Sequence, residues 1–283
     1  MYHFLNDLLQ FSFLQQALLS GILASVACGV IGTFVVVRRI TYIAGGISHT
    51  VLGGMGAALY FQSVYRWDGF NPIYGAVAAA LVAAIIIGLV SLRAKQREDT
   101  VIGALWAVGM AVGILFISQT PGYNTDLMSY LFGNILLVSV DDLWLLAALD
   151  ILVLGMGFIF YNQFLAVCFD EEFARVRGLR VDLYYLLLLC LTSLTVVVLV
   201  TVVGIVMVIA LLTLPTAIAG FLSKSLKHMM AVSAGLCMIF TTSGLVLSYG
   251  PNYPTGATTI LIAGAAYLVF IIVKGMGNLR RSA

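Results

Sequence analysis

The sequence predicts an all-α protein, a polytopic helical bundle that folds inside a lipid bilayer, and three observations carry that prediction. Of 283 residues, 62% are apolar and only 9% are charged, where a soluble domain carries about a quarter charged residues. Nine apolar stretches have the roughly 17 to 25 residues that cross a hydrocarbon core. Of the 14 Lys and Arg, all but Arg66 follow alternate stretches, which is the bias that orients membrane proteins.

The stretches run near 13–36, 41–62, 72–92, 100–118, 142–161, 183–202, 204–222, 229–248 and 257–273. The segment before the first has no basic n-region and no small-residue cleavage site, so the first helix is expected to be retained. Arg38 and Arg39 close the first stretch. The second is rich in glycine (Gly45, Gly46, Gly53, Gly54, Gly56) and carries His49. Arg93, Lys95 and Arg97 follow the third, and the fourth carries the GxxxG pair Gly109 and Gly113. Such glycines let helices approach closely in lipid, where burying leucine gains nothing. The fifth carries Asp150 and is followed by Arg175, Arg177 and Arg180. The seventh contains Pro215 and precedes Lys224 and Lys227; Lys274, Arg280 and Arg281 follow the ninth. The basic segments are expected in the cytoplasm, with the N-terminus outside and the C-terminus inside. Nine spans keep this parity. Eight is the alternative, with the N-terminal segment lying flat. The glycine-rich second span and the proline-containing seventh are the two expected to be broken or re-entrant. The whole of 1–283 reads as one membrane domain without an internal repeat.

Four scattered cysteines (Cys28, Cys168, Cys190, Cys237) have no CxxC or CxxH spacing and read as small apolar residues. There is no GxxxxGK[ST], GxSxG or HExxH, so nucleotide binding through a P-loop and familiar hydrolase chemistry are unsupported.

Three features within the spans, and one between them, stand out. His49 is the sole histidine within a span. It is either hydrogen-bonded to Ser48 or Thr50 as a packing group, or a metal-ligating or path-lining imidazole. Asp150 lines a polar path, pairs across helices or stays protonated. Pro215 frees the Leu211 carbonyl, which then needs a partner at mid-membrane depth. Between spans five and six, Asp170 is a natural N-cap, Glu171 and Glu172 suit a helix N-terminus, Arg175 and Arg177 its end, and Gly178 a stop. This short helix is expected to present Phe173, Val176 and Leu179 as an apolar stripe, resting on lipid headgroups or docking a cytoplasmic partner.

Four segments together resemble the membrane permeases of bacterial and archaeal ABC importers for zinc, manganese and iron(II), the ABC-3 family. They are Gly32–Arg39 running on to Ile47–Gly54; Glu98–Gly103 with Tyr130–Gly133; Asp170–Leu179; and Gly204–Pro215 with Pro254–Gly256. The resemblance implies a non-catalytic permease subunit of an ATP-driven metal importer in the cell membrane. It binds no cofactor of its own, and a divalent zinc, manganese or iron ion is the transported species. The implied partners are a second copy of the chain, a cytoplasmic ATPase and an extracytoplasmic metal-binding protein. By the resemblance, His49 is the metal residue; Ser48, Asp150, Pro215 and Asn252 are read as lying on the translocation path or at a helix break. Glu171, Glu172, Phe173, Ala174, Arg175 and Gly178 belong to the coupling helix that docks the ATPase. Family members commonly carry aspartate where this chain has Gly45 and Asn252, which makes the path here less anionic. The reading from another class is a secondary metal transporter or channel that works without an ATPase; an intramembrane enzyme ranks behind both.

Overall fold

The computed structural model describes residues 2–67, 69, 71–94, 98–121, 133, 135–251 and 253–282. Among them are twelve α-helices and no strand. They are α1 (Tyr2–Gln10), α2 (Ser12–Val37), α3 (Ile43–Tyr65), α4 (Pro72–Ala94), α5 (Glu98–Ser118), α6 (Val140–Ile159), α7 (Tyr161–Phe169), α8 (Glu171–Val176), α9 (Val181–Val203), α10 (Ile205–Leu222), α11 (Leu226–Tyr249) and α12 (Thr255–Ser282). A 3-10 turn at Ile135–Leu137 precedes α6.

Local chemistry sets many of the boundaries. Pro72 opens α4, where its missing N–H is no loss. Glu98 and Asp99 occupy the first turn of α5, which favours negative charge. Ser139 caps α6 through a reciprocal capping box: the Asp142 amide donates to Ser139 Oγ, and the Ser139 amide donates to the Asp142 carboxylate.

Eight helices are long and apolar enough to cross a membrane: α2, α4, α5, α6, α9, α10, α11 and α12. The ninth expected span is α3, 23 residues long. It has the length, but its glycines and Ser48, His49, Thr50 and Gln62 dilute its apolar character, so the count by composition is eight. α3 is nevertheless the helix with the closest neighbours, clasped between α5 and α4. A Cβ built on Gly53 would lie 2.8 Å from the Gly109 carbonyl oxygen, and one on Gly56 would lie 2.8 Å from that of Gly113. Thr50 Oγ1 crosses the same interface to donate to the Leu105 carbonyl, 3.2 Å away. The α3–α5 pair therefore packs backbone on backbone, the arrangement the glycine spacing predicts.

α2 and α9 are the most buried of the eight spans, while α5 and α12 expose most of their surface. α2 packs on α11, α10 and α6; α9 packs on α4, α3 and α6. At the end of the bundle where α11 finishes, Phe4 meets Tyr249 edge to face (5.5 Å), and Tyr249 Oη donates to Asp7 (3.0 Å). These contacts tie α1 to the bundle.

The expected breaks in the second and seventh spans are absent. α3 is continuous, and α10 runs through Pro215. The carbonyl that Pro215 leaves free, on Leu211, accepts from the Cys237 thiol of α11 at 3.4 Å, so the freed group finds a partner. α9 and α10 meet at Gly204, within a residue of the expected boundary between the sixth and seventh spans; its φ of 84° and ψ of 161° lie in a region that only glycine occupies readily. Gly133 packs against this corner so closely that a Cβ there would run into the Val203 carbonyl. The fifth span ends earlier than expected, at Ile159, and a separate helix, α7, leads to α8. All four cysteines are free of disulfides.

Candidate functional site

α3 places His49 inside the bundle, 7% exposed. Its two neighbouring hydroxyls are engaged elsewhere. Ser48 Oγ donates to the Ala44 carbonyl (2.6 Å), and Thr50 Oγ1 to the carbonyls of Gly46 (2.8 Å) and Leu105 (3.2 Å). The packing reading of His49 therefore loses both its expected partners. The imidazole instead stacks on Trp106 of α5, with ring centroids 4.7 Å apart and planes 18° from parallel. Its Nδ1 is buried and has no hydrogen-bond partner. A buried, unsatisfied nitrogen is costly unless something else supplies a partner. Among the described residues no group of three or more His, Cys, Asp or Glu side chains is placed to hold a metal ion. His49 thus stands as a lone buried imidazole between α3 and α5, with no second ligating side chain grouped with it among the described residues.

The other candidate path residues do not converge on it. Asp150 is buried in α6 with neither carboxylate oxygen hydrogen-bonded. Yet α6 packs chiefly on α2 and α9, whereas α3 packs chiefly on α5, α4 and α9. Pro215 is buried in α10, and Asn252 lies outside the described residues. A cavity of about 500 Å³ opens between α2, α6 and α11, lined by Val26, Leu154, Phe158, Tyr161, Lys227 and Met230 among others. It offers no carboxylate, imidazole or thiol to a cation.

At one end of the bundle the charged residues assemble. Arg38, just beyond α2, pairs with Glu171 of α8, approaches Glu98 of α5 (3.8 Å) and donates to the Val167 carbonyl of α7 (3.2 Å). Its guanidinium also lies over the ring of Tyr185 in α9 (5.0 Å). Glu98 in turn accepts from Tyr185 Oη (2.8 Å) and Ser91 Oγ (2.6 Å). Six helices, α2, α4, α5, α7, α8 and α9, are thereby joined at one point. The sequence gives Arg38 and Glu98 only as members of motif segments; that they meet is set by the tertiary fold.

α8 is capped as expected: the Phe173 amide donates to Asp170 (2.9 Å), Arg175 lies in the last turn, and Gly178 adopts a left-handed φ of 78°. Arg175 pairs with Asp182 at the start of α9. Phe173 and Val176 are exposed, with Arg177 over the Phe173 ring at 5.0 Å. Leu179 does not join the stripe; it is half-buried and packs against the core. Ala174 is buried and Glu171 turns inward to Arg38, so these two anchor the helix. Glu172, Phe173, Val176 and the adjacent Phe169 make the outer face.

The sequence profile of the ABC 3 transport family matches residues 10–274. An uncharacterized membrane protein of Synechocystis sp. is 47% identical over 266 residues, covering 94% of this chain and 92% of the relative. The manganese transport system membrane protein MntC of Listeria monocytogenes is 35% identical over 278 residues, covering 98% and 96%. Among solved structures, PsaBC from Streptococcus pneumoniae in complex with Fab superposes with a TM-score of 0.83 at 31% identity, over 95% of this chain and 94% of the other.

Proposed function

Because this chain belongs to the ABC 3 transport family, it is a multi-pass membrane permease of a metal importer, and we propose that divalent transition-metal ions cross it past His49. Relatives named for manganese transport make manganese the first ion to test, with zinc and iron(II) beside it.

The single observation that carries this reading is the buried Nδ1 of His49, left without a partner while the hydroxyls on either side are satisfied. A neutral imidazole is a good ligand for such ions. One donor alone binds weakly, and weak ligation suits a conduit, because an ion held tightly would not leave. Water, backbone carbonyls or the His49 of a second copy complete the coordination. The second copy is proposed to dock on α5, whose exposed face carries Gly103, Ala104, Ala107 and Ala111, small residues that permit close helix approach.

The energy comes from a separate cytoplasmic ATPase that grips the outer face of α8, and the ion arrives from an extracytoplasmic binding protein. Motion of α8 reaches the path through contacts already described. Glu171 of α8 holds Arg38, Arg38 approaches Glu98, and Glu98 begins the helix that carries Trp106 against His49.

The test is metal uptake by the reconstituted transporter. His49→Ala should abolish most uptake while expression and ATPase assembly stay near wild type. His49→Gln should be nearly as severe if ligation is the role, and mild if packing is. Normal uptake by His49→Ala under metal limitation rejects the route.

A further inference from the structure

We propose that Trp106 is a specificity-determining residue of the path: its indole keeps the wall at His49 to one nitrogen donor and thereby favours borderline divalent cations over hard ones. The proposal rests on His49 lying on the route and names what that site selects.

One aromatic ring covers two adjacent positions of α3. It stacks on the imidazole of His49 at 4.7 Å. It also fills the space beside Gly45, one helical turn earlier. A Cβ built on Gly45 would lie 2.5 Å from the indole Cζ3, 3.0 Å from Cη2 and 3.2 Å from Cε3. No side chain at position 45 fits while the indole is in place. The register of α5 on α3 is fixed on both sides of the ring, so a side chain at position 45 is accommodated only if the indole turns away from His49. Gly46 meets Ile102 on one side, and Gly53 meets the Gly109 carbonyl on the other.

The chemistry of the wall follows. The ligand nearest His49 on its own helix would come from position 45, since residues four apart share a face. That position carries no donor, and the indole blocks one from being added. Ser48 and Thr50 turn their hydroxyls into backbone carbonyls. What remains is an imidazole nitrogen and an aromatic face. An aromatic face attracts cations without ligating them. Imidazole suits zinc and iron(II), whereas carboxylate oxygen suits manganese and other harder ions. The Gly45–Trp106 pair thus tilts the site toward the borderline group, whatever the partner binding protein delivers.

The experiment uses the complete transporter, with its ATPase and binding protein held constant, and reads the manganese-to-zinc uptake ratio in proteoliposomes. Gly45→Asp alone should impair assembly with the ATPase, because the new side chain meets the indole, and Trp106→Ala should rescue it. In the Gly45→Asp/Trp106→Ala double variant the ratio should rise about tenfold, the scale on which single changes around a metal site alter affinity. Wild-type assembly of Gly45→Asp alone, failure of Trp106→Ala to rescue it, or an unchanged ratio in an assembled double variant each overturns the proposal. The underlying route fails separately, by normal uptake in His49→Ala.

Discussion

His49 and Asp150 are the two buried side chains of the His, Asp, Glu, Lys and Arg types among the described residues, and their surroundings differ. His49 has an aromatic platform and one free nitrogen; Asp150 faces the packed side of α6 with both oxygens unpartnered. Only His49 lies in the glycine-locked pair of helices. Asp150→Asn keeps the volume and cannot ionise, so a side chain that merely packs should tolerate it. Metal uptake by this variant is expected within about twofold of wild type, with thermal stability unchanged or raised, since a buried unpaired acid is costly. A loss comparable to that of His49→Ala would place Asp150 on the route. The sequence makes His49 conspicuous because an imidazole in lipid needs a reason. It does not reveal Trp106, which sits on another helix and reaches His49 only through the register set by Gly53, Gly56, Gly109 and Gly113.

Among the elements, α8 divides its residues between two tasks. Phe173 and Val176 point outward, while Ala174 and Glu171 hold the helix to the bundle. Phe173→Ala should weaken capture of the ATPase about fivefold or more, the roughly 1 kcal/mol that marks an interface anchor. Arg38→Ala should leave capture intact and lower metal-stimulated ATP hydrolysis, because α8 would dock without its link to α2 and α5. Equal capture by wild type and Phe173→Ala would remove the anchor. The caps of α8 are readable from Asp170 and Gly178 alone, because capping is local chemistry. The fate of Pro215 is not: whether a proline breaks a helix in lipid depends on what meets the freed carbonyl, and here that is Cys237 from α11. The junction at Gly204 falls within a residue of the boundary read between two apolar runs, whereas the positive φ that glycine supplies there comes with the fold.

For the whole molecule, the charged contacts bring the loops after α2, before α5 and around α8 to one end. Tyr60, Phe61, Tyr65 and Trp67 of α3 and its exit cluster with Phe116 of α5, at the end opposite Glu98, where α5 begins. The bias of Lys and Arg predicts that the first end faces the cytoplasm. A cysteine probe at Arg66 should therefore react only from outside, and one at Arg177 only from inside. Labelling of position 66 from the cytoplasm would overturn that orientation. α3, the helix that carries His49, is also the one whose composition falls short of a free-standing span. Glycine, serine, threonine and histidine hold it back at the point where a new segment chooses between lipid and water. The Ser48 and Thr50 hydroxyls donate to α3's own backbone and to α5, which follows it in the chain. Stable insertion of α3 is therefore expected to depend on α4 and α5, the two helices that clasp it and emerge after it.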